Sequence, residues 1–336
     1  MRKLFTTHPV EARLSVALAV LVIGLGLTTD TFLTLSNLTS LLNNNAVNII
    51  WAVGLLVVLI AGGIDISFAV AASVVQYLAA QVLFGMGGGN WALGFMVASM
   101  IGIGLGLINA LLIQGFRVIS IVITIATFNA YFGLLMYFTR GRSIFNLPPW
   151  WTERIYIFEH QAASGTWSVL NLSVLVMVVC ALATWALIRM TSLGRQLYAF
   201  GDNPEGARRA GVNVWLMQCL AFGWMGLMAG IGGFMQVNIT QEIVPNALYG
   251  RELAVLAAVV LGGARLGGGR GTVLGCVLGV LFVAVIQNGL NLLGISPFAF
   301  QMIIGAIIMV AISTSNISFA ASAATRRRNK AASGAA

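Results

Sequence analysis

Charged residues are scarce in this chain of 336 residues: only 8% are Asp, Glu, Lys or Arg, whereas 59% are hydrophobic. The mean hydropathy of +0.94 excludes an ordinary soluble domain and predicts a polytopic membrane protein in a lipid bilayer. The apolar runs are continuous rather than alternating, so the spans are predicted to be helices and not barrel strands. The expected fold class is therefore an all-α membrane protein.

Residues suited to catalysis, metal binding or nucleotide binding are also few. The two histidines are isolated, and the three cysteines lie in or beside apolar runs without CxxC spacing. Asp65 is the single acidic residue deep in an apolar region. The two lysines, Lys3 and Lys330, lie in the tails, so the Gly-rich stretch 264–271 lacks the lysine of a phosphate-binding loop. We expect no metal or cofactor bound by this chain, and no enzymatic activity.

The apolar runs predict about ten membrane-spanning helices. Their approximate positions are 14–29, 46–63, 66–84, 91–113, 118–138, 168–188, 215–236, 250–264, 272–293 and 298–315. With ten spans and a cytoplasmic N-terminus, fourteen of the 18 basic residues fall on the cytoplasmic side. This asymmetry supports an even number of spans with both termini in the cytoplasm. The basic residues are dispersed among loops and tails, which does not favour nucleic-acid binding.

The predicted organisation has three parts: a cytoplasmic N-terminal tail (1–13), a transmembrane domain (14–315) and a basic C-terminal tail (316–336) that we expect to be disordered. The longest outside segment, 139–167, contains Trp150 and Trp151. We expect these tryptophans in an interfacial aromatic belt, with a surface for an external partner as the alternative.

One polar stretch, residues 189–214, separates two of the apolar runs. Asn203 is a suitable N-cap, Pro204 suits the first helical position, and Gly211 suits the left-handed residue after the last turn. A short capped helix is therefore predicted. On the aqueous side of a membrane protein it would suit docking of another protein. The alternative is a solvated loop that merely joins two spans.

Asp65 lies in the sequence Gly62-Gly63-Ile64-Asp65-Ile66-Ser67, between two apolar runs. A carboxylate there must face protein, water or a helix terminus, because its burial in lipid is costly. The glycine pair allows the chain to turn, and Asp65 then falls at the start of the next helix. A helix-capping role is favoured over contact with a solute, and a proton relay is the third alternative.

Several amides and hydroxyls lie within or at the edges of the predicted spans. Such groups either bridge helices or line a wet path, and bridging is the commoner case for any one residue. Their number, with so few charges, favours a path for a neutral polar solute. The candidate path-lining residues are Asn48, Gln76, Thr124, Thr127, Asn129, Gln287, Asn288, Asn291 and Gln301.

Four blocks of sequence, in this order, carry a resemblance to a known family. They are GGIDIS at 62–67, the residues Gly194-Arg195, Gly201-Asp202-Asn203, Ala207-Arg208 and Gly211-Val212, the run from Glu252 to Gly271, and QNGLNLLG at 287–294. Together they resemble the membrane permeases of bacterial ABC importers for ribose-type sugars and autoinducer-2, from about residue 40 to 312. Phe68 and the ending Ser313-Thr314-Ser315-Asn316 depart from many sugar permeases, which leaves the solute open.

The resemblance implies a fold like that of the vitamin-B12-importer permeases, in a multi-pass protein of the bacterial inner membrane. It implies a dimer with a second permease subunit, identical or not. It also implies an ATPase subunit on the cytoplasmic face, which uses ATP and Mg²⁺, and an extracytoplasmic substrate-binding protein. By the same resemblance the 189–214 segment is the coupling loop. Its coupling residues would be Gly201, Asp202, Asn203, Pro204, Glu205, Ala207, Arg208, Arg209 and Gly211.

The expected function is thus the translocation path of an ATP-driven importer for a neutral sugar, polyol or related hydroxylated solute, autoinducer-2-like compounds included. Two alternatives remain. An ion-coupled secondary transporter would need an intramembrane ion site, for which Asp65 is the one acidic candidate. A nucleoside-type permease or an exporter of the same architecture is the other.

Overall fold

The computed structural model describes residues 9–162 and 165–296, together with residues 299, 302, 305 and 306. The elements in chain order are α1 Pro9–Thr28, α2 Leu35–Ile60, α3 Phe68–Gly85, α4 Trp91–Phe116, α5 Ser120–Thr139, α6 Pro149–Thr152, β1 Tyr156–Gln161, β2 Trp167–Asn171, α7 Leu172–Met190, α8 Ser192–Asp202, α9 Pro204–Arg209, α10 Val214–Thr240, α11 Arg251–Leu261 and α12 Val273–Leu292. The C-terminal tail 316–336 and most of the predicted last span, 298–315, lie outside the described residues, as do the first eight residues of the N-terminal tail.

Eight helices in the described part are long and apolar enough to cross a membrane, and they coincide with eight of the ten predicted spans. The run predicted as a span at 250–264 forms only the 11-residue helix α11. At 1.5 Å per residue, α11 is about 16 Å long, roughly half the thickness of a hydrocarbon core. Its length is set by glycine, because Gly250 precedes it with φ of 89° and Gly263 follows it with φ of 95°.

The long helix α2 lies at the centre of the protein. Every residue from Ile49 to Ile60 is buried, and the helix contacts α10, α7, α12, α11 and α8. Its N-terminus is capped by Thr34, whose side chain accepts a hydrogen bond from the backbone N–H of Asn37. From Ile49 to Ile60 the helix has neighbours on all sides and no lipid-facing stripe, which explains why this part is apolar around its circumference.

The closest helix pair, α4 and α10, meets through glycine. A Cβ on Gly102 would overlap the carbonyl oxygen of Gly226, and one on Gly106 would overlap that of Phe222. Gly230 faces Ala98 in the same way. The small-xxx-small spacing therefore serves backbone approach in this protein, as is common between membrane helices.

The described part is mostly helical, consistent with the predicted all-α membrane protein, and the outside segment 139–167 adds one short two-stranded sheet. Strands β1 and β2 form an antiparallel hairpin, with Glu159 paired to Val169. Trp151 is fully buried, stacks on Phe234 at 4.7 Å and donates its indole N–H to the Phe234 carbonyl. Trp151 therefore belongs to the core and not to the predicted interfacial belt, because α6 packs on α10.

Candidate functional site

The short helix predicted in the 189–214 segment is present as α9. The Asn203 side chain accepts the N–H of Gly206 at 2.9 Å, Pro204 is the first helical residue, and Gly211 has φ of 86°. The helix has only six residues, so its caps account for much of its local definition. The 189–214 segment also contains α8, an amphipathic helix capped by Thr191, which sequence reasoning did not anticipate.

Helix α9 presents almost all of its side chains to solvent. Ala207 is buried and anchors it, whereas Asp202, Glu205, Arg208 and Arg209 are exposed. Glu205 and Arg209 form an ion pair at 3.1 Å with side chains 64% and 77% exposed. An exposed i,i+4 pair contributes only about 0.3–0.5 kcal/mol, so these charges are available to a partner.

The base of α9 is held by contacts between backbones, at a site that we name the glycine junction: Gly62, Gly201, Gly268, Gly269 and the carbonyl of Ile60. The N–H of Gly269 donates to the Ile60 carbonyl at 2.9 Å. A Cβ on Gly201 would overlap the Ile60 oxygen and lie 2.7 Å from the Gly269 nitrogen. Gly268, with φ of 84°, touches Gly62 and Gly201 in the same way. Three chain segments thus meet here without intervening side chains.

A side-chain bond strengthens the same connection. The Tyr198 hydroxyl, on α8, donates to the carbonyl of Gly271 at 2.6 Å. Gly271 ends the loop that joins α11 to α12. Helix α8 is therefore tied to this loop both at the glycine junction and one turn earlier.

The structure corrects the position of Asp65 relative to its helix. The N-cap residue of α3 is Ser67, and Asp65 lies two residues before it. Its Oδ1 accepts the N–H of Ser67 at 2.8 Å and the Ser67 hydroxyl at 2.7 Å, which is the geometry of an Asx turn. Burial raises the pKa of this carboxyl from 3.8 to about 6. Asp65 therefore shapes the turn into α3 instead of capping the helix itself.

The turn at 62–67 is also fixed to two neighbouring helices. Asn109, on α4, donates to the Ser67 hydroxyl at 2.8 Å. On α5, the Ser120 hydroxyl accepts the N–H of Ile64 at 2.9 Å, and Thr124 donates to the Ile64 carbonyl at 3.2 Å. The turn that contains Gly62 and Gly63 is thus a rigid part of the bundle.

Most of the predicted path-lining residues have other partners. Gln76 bridges to the Gly233 carbonyl, Asn288 pairs with Asn37, and Thr127 bonds within its own helix. Asn129 is exposed and donates to Ile125, one turn earlier on α5. Thr124 holds the turn described above, Asn291 is exposed, and Gln301 lies outside the described residues.

The remaining two, Asn48 and Gln287, line a common cavity of about 310 Å³ that we name the polar cleft. Its polar lining consists of Asn44, Asn45, Asn48, Arg251 and Gln287. Its apolar lining consists of Ala254, Val255, Ala258, Val280 and Val283. Sequence reasoning did not select Arg251, because it placed that residue in an outside loop. The amides at positions 44, 45 and 48 share one face of α2. Their spacing of three and four residues could have predicted from the sequence that they line the same cavity.

The cleft and the glycine junction are connected by two elements. Helix α2 runs from Asn48 at the cleft to Ile60 at the junction, about 18 Å at 1.5 Å per residue. Helix α11 lines the cleft with Ala254, Val255 and Ala258, and the loop that follows it contains Gly268 and Gly269. A bundle of spanning helices with a polar cleft and an exposed, capped helix between two spans is an arrangement that suits a membrane transport protein.

Comparison with known proteins identifies the family. Residues 37–312 match the family described as branched-chain amino acid transport system / permease component. The chain is 31% identical over 300 residues to the ribose import permease protein RbsC of Escherichia coli K12, covering 89% of this chain and 91% of that protein. It therefore belongs to this family of import permeases.

Two further relatives are named for other solutes. The galactose/methyl galactoside import permease protein MglC of Escherichia coli K12 is 30% identical over 332 residues, covering 95% of this chain and 98% of that protein. The autoinducer 2 import system permease protein LsrC of Photorhabdus luminescens is 30% identical over 284 residues, covering 83% of this chain and 81% of that protein. No solved structure matches the chain.

Proposed function

We propose that this chain is the membrane-spanning subunit of an ATP-driven ABC importer, and that it forms the path for a neutral sugar, polyol or related hydroxylated solute. The observation that carries the proposal is the connection of α9 to the polar cleft. At the base of this exposed, capped helix, Gly201 contacts the C-terminal end of α2 and the loop that follows α11. Other parts of α2 and α11 line the cleft. The family membership and the solutes named for its relatives support the same function.

In this proposal α9 is the coupling helix and faces the cytoplasm. An ATPase subunit, which binds ATP and Mg²⁺, docks on it, and a substrate-binding protein delivers the solute on the opposite face. Two permease subunits, identical or different, enclose the path. The charge asymmetry of the loops supports cytoplasmic termini and ten spans, with α11 as a half-length span and the tenth at 298–315. The proposed architecture is that of the vitamin-B12-importer permeases, in the bacterial inner membrane.

The proposed mechanism uses backbone contact to transmit motion. When ATP binding draws the two ATPase subunits together, each α9 moves with the ATPase surface on which it rests. Gly201 then displaces the Ile60 carbonyl and the 268–269 loop, because no side chain in the junction can rotate to absorb the shift. Helices α2 and α11 move together, and the cleft between them changes its access from one face of the membrane to the other.

The experiment is a double charge reversal on α9, Arg208→Glu with Arg209→Glu, in the chain co-expressed with its ATPase subunit. We expect the variant to insert normally but to lose co-purification of the ATPase, and with it ATP-driven sugar uptake in proteoliposomes. The matched control is Arg142→Glu with Arg154→Glu, two exposed arginines on the loops flanking α6, which should keep ATPase co-purification. Unchanged ATPase binding by the α9 variant would contradict the docking assignment.

The ion-coupled alternative is tested in the same vesicles. Asp65 is buried and has no basic partner in the described part of the chain, which is the observation that favours an ion site there. Uptake driven by a proton or sodium gradient in vesicles that contain the permease without any ATPase would establish a secondary transporter. We expect no such uptake, because the carboxylate is already occupied by two hydrogen bonds from Ser67.

A further inference from the structure

The polar cleft contains hydrogen-bonding capacity that the described protein does not use. The side chains of Asn44 and Gln287 have no hydrogen-bond partner among the described residues. Asn48 donates one N–H to Asn45 at 3.3 Å, which leaves its carbonyl oxygen free to accept. Asn44 is exposed, and Asn48 and Gln287 are partly buried, so the unused hydrogen-bonding groups of these amides are accessible to a ligand or to water.

Arg251 adds a positive charge to the lining of the polar cleft. Its guanidinium makes one long hydrogen bond, 3.4 Å to Gln236, and has no acidic partner in the described part of the chain. The neighbouring carboxylate of Glu252 is buried and accepts the N–H of Gly250 at 3.0 Å. Four of the five guanidinium N–H donors of Arg251 are thus unassigned.

The apolar part of the lining comes from small aliphatic side chains on α11 and α12, among them Ala254, Ala258 and Val283, and the same two helices carry Arg251 and Gln287. A volume of about 310 Å³ is at the lower end of the range for small-molecule sites, which suits a ligand of monosaccharide size. A monosaccharide has hydroxyl groups that donate and accept along its edge, and C–H groups on its faces. A lining that is partly polar and partly aliphatic can therefore contact both kinds of surface.

We propose that the polar cleft is a transient binding site for the carried solute, in which Asn48, Gln287 and Arg251 bind adjacent hydroxyl groups of an uncharged monosaccharide or polyol. The proposal rests on the importer function above and specifies which side chains bind the solute. Amide groups and a guanidinium together supply both donors and acceptors, as hydroxyl groups require. Arg251 repels cations, so the same residue that binds hydroxyl oxygens also keeps ions out of the path.

An amino acid is the competing ligand, since the family description names branched-chain amino acid transport. Its carboxylate would pair with Arg251, and its aliphatic side chain would contact the apolar residues of the lining. Its ammonium group, however, would find no carboxylate among the residues that line the cleft. Burial of an unpaired ammonium beside a guanidinium is unfavourable, so the site disfavours a zwitterion.

The first test measures ligand protection of a thiol placed in the cleft. Asn48→Cys is introduced into the full-length chain, whose own cysteines, Cys180, Cys219 and Cys276, are buried. The labelling rate with a small methanethiosulfonate reagent is then compared without and with D-ribose, D-galactose or myo-inositol. We expect at least one of these to slow labelling about threefold or more, because a bound ligand shields the thiol in proportion to its occupancy, and L-leucine at the same concentration to have no effect.

The control is Asn129→Cys, at an exposed amide of α5 that bonds only within its own helix. None of the four compounds should change its labelling rate. Equal protection of both positions would reveal a non-specific effect and overturn the proposal. Protection of the thiol introduced in the cleft by L-leucine alone, or by none of the compounds, would overturn it as well.

The second test measures sugar transported per ATP hydrolysed by the reconstituted importer. Loss of one hydrogen bond to an uncharged group corresponds to a change of about two- to tenfold, so Asn48→Leu should lower this ratio by about that factor. Arg251→Gln should lower it by about tenfold or more, because hydrogen bonds from a charged group are stronger. Ala130→Leu, at an exposed position of α5 outside the candidate path, should leave it unchanged.

The cleft site and the importer function would be overturned by different results. If the unaltered importer carries sugar at the expense of ATP and Asn48→Leu and Arg251→Gln do so equally well, the cleft is not the binding site, although the importer function stands. If the unaltered complex shows no ATP-driven sugar uptake, the proposed function itself is wrong.

Discussion

Gly201→Ala is the substitution that tests the glycine junction most directly. Gly201 lies within α8 and is not among the residues with positive φ, so alanine meets no backbone penalty there. The new methyl group would overlap the Ile60 carbonyl and crowd the nitrogen of Gly269. Because all the opposing atoms belong to backbone, the clash can be relieved only by separating chain segments.

The magnitude follows from the difference between two alanine substitutions. Overpacking of a tightly packed interior typically costs about 1–3 kcal/mol. Gly133→Ala, on α5, meets nothing within 4 Å and should instead stabilise its helix by about 0.5–1 kcal/mol. The two variants should therefore differ by about 1.5–4 kcal/mol in the free energy of unfolding, although each adds a single methyl group.

Two measurements check this expectation. In thermal unfolding of the purified chain, Gly201→Ala should unfold at a lower temperature than the unaltered protein, and Gly133→Ala at the same or a higher temperature. In proteoliposomes, Gly201→Ala should retain ATPase binding but transport less sugar per ATP, because the backbone contacts of the junction would be pushed apart. Identical behaviour of the two variants in both assays would refute the role assigned to the junction.

A milder variant covers the case in which Gly201→Ala does not fold. Tyr198→Phe removes the 2.6 Å hydrogen bond from α8 to Gly271 and leaves the packing in place. The expected loss is about 0.5–1.5 kcal/mol, which leaves the protein folded. If the loop must follow α8 for transport, the ratio of sugar to ATP falls in this variant too. An unchanged ratio would show that the loop does not need this tie.

Three further predictions concern single contacts. Asn203→Ala removes the N-cap of α9 and should cost about 1 kcal/mol of local helix stability, observed as weaker ATPase binding without loss of membrane insertion; equal binding would show that the ATPase orders this helix itself. Gly106→Val should lower the thermal stability of the purified chain strongly, since its side chain would meet the Phe222 backbone, whereas Gly104→Val, which meets open space, should change it little. For Asp65 the folded protein holds its proton to a higher pH than the unfolded chain, because burial raises the pKa from 3.8 to about 6. Stability should therefore fall by up to about 3 kcal/mol as pH rises from about 4 to 6 and stay level above, and Asp65→Asn should remove this slope; an unchanged slope would assign it to another group.

The spans and the α9 helix are the features that the sequence predicted best. Hydropathy over about 20 residues reports how well a whole segment tolerates lipid, and this does not depend on tertiary contacts. The caps of α9 are equally local, since Asn203 bonds to a residue three positions away. The short length of α11 was harder to predict from the sequence, because an apolar run bounded by glycine is typical of both a full span and a buried half-helix.

The fate of the polar residues was the least predictable feature. Gln76 bonds to Gly233, 157 positions away, and Asn37 pairs with Asn288, 251 positions away. Which helix faces which decides whether such an amide bridges or stays free, and composition does not report it. Asn48 and Asn129 look alike in the sequence, yet one lines the polar cleft and the other lies exposed on α5.

A junction made of backbone atoms transmits a displacement more directly than one made of side chains. A side chain between α8 and α2 would have several rotamers, and a displacement of α9 by a fraction of an ångström would be absorbed by a change of rotamer. Backbone atoms in direct contact have no such freedom, and the single hydrogen bond from Gly269 to Ile60 keeps the two sides in register. Toward the other end of α2 the proposed binding site makes the opposite demand, because amides that bind a passing solute would have to adapt to it. The same helix has contacts without side-chain freedom at one end and polar side chains toward the other, an arrangement that suits the proposed conversion of a small movement into a change of access.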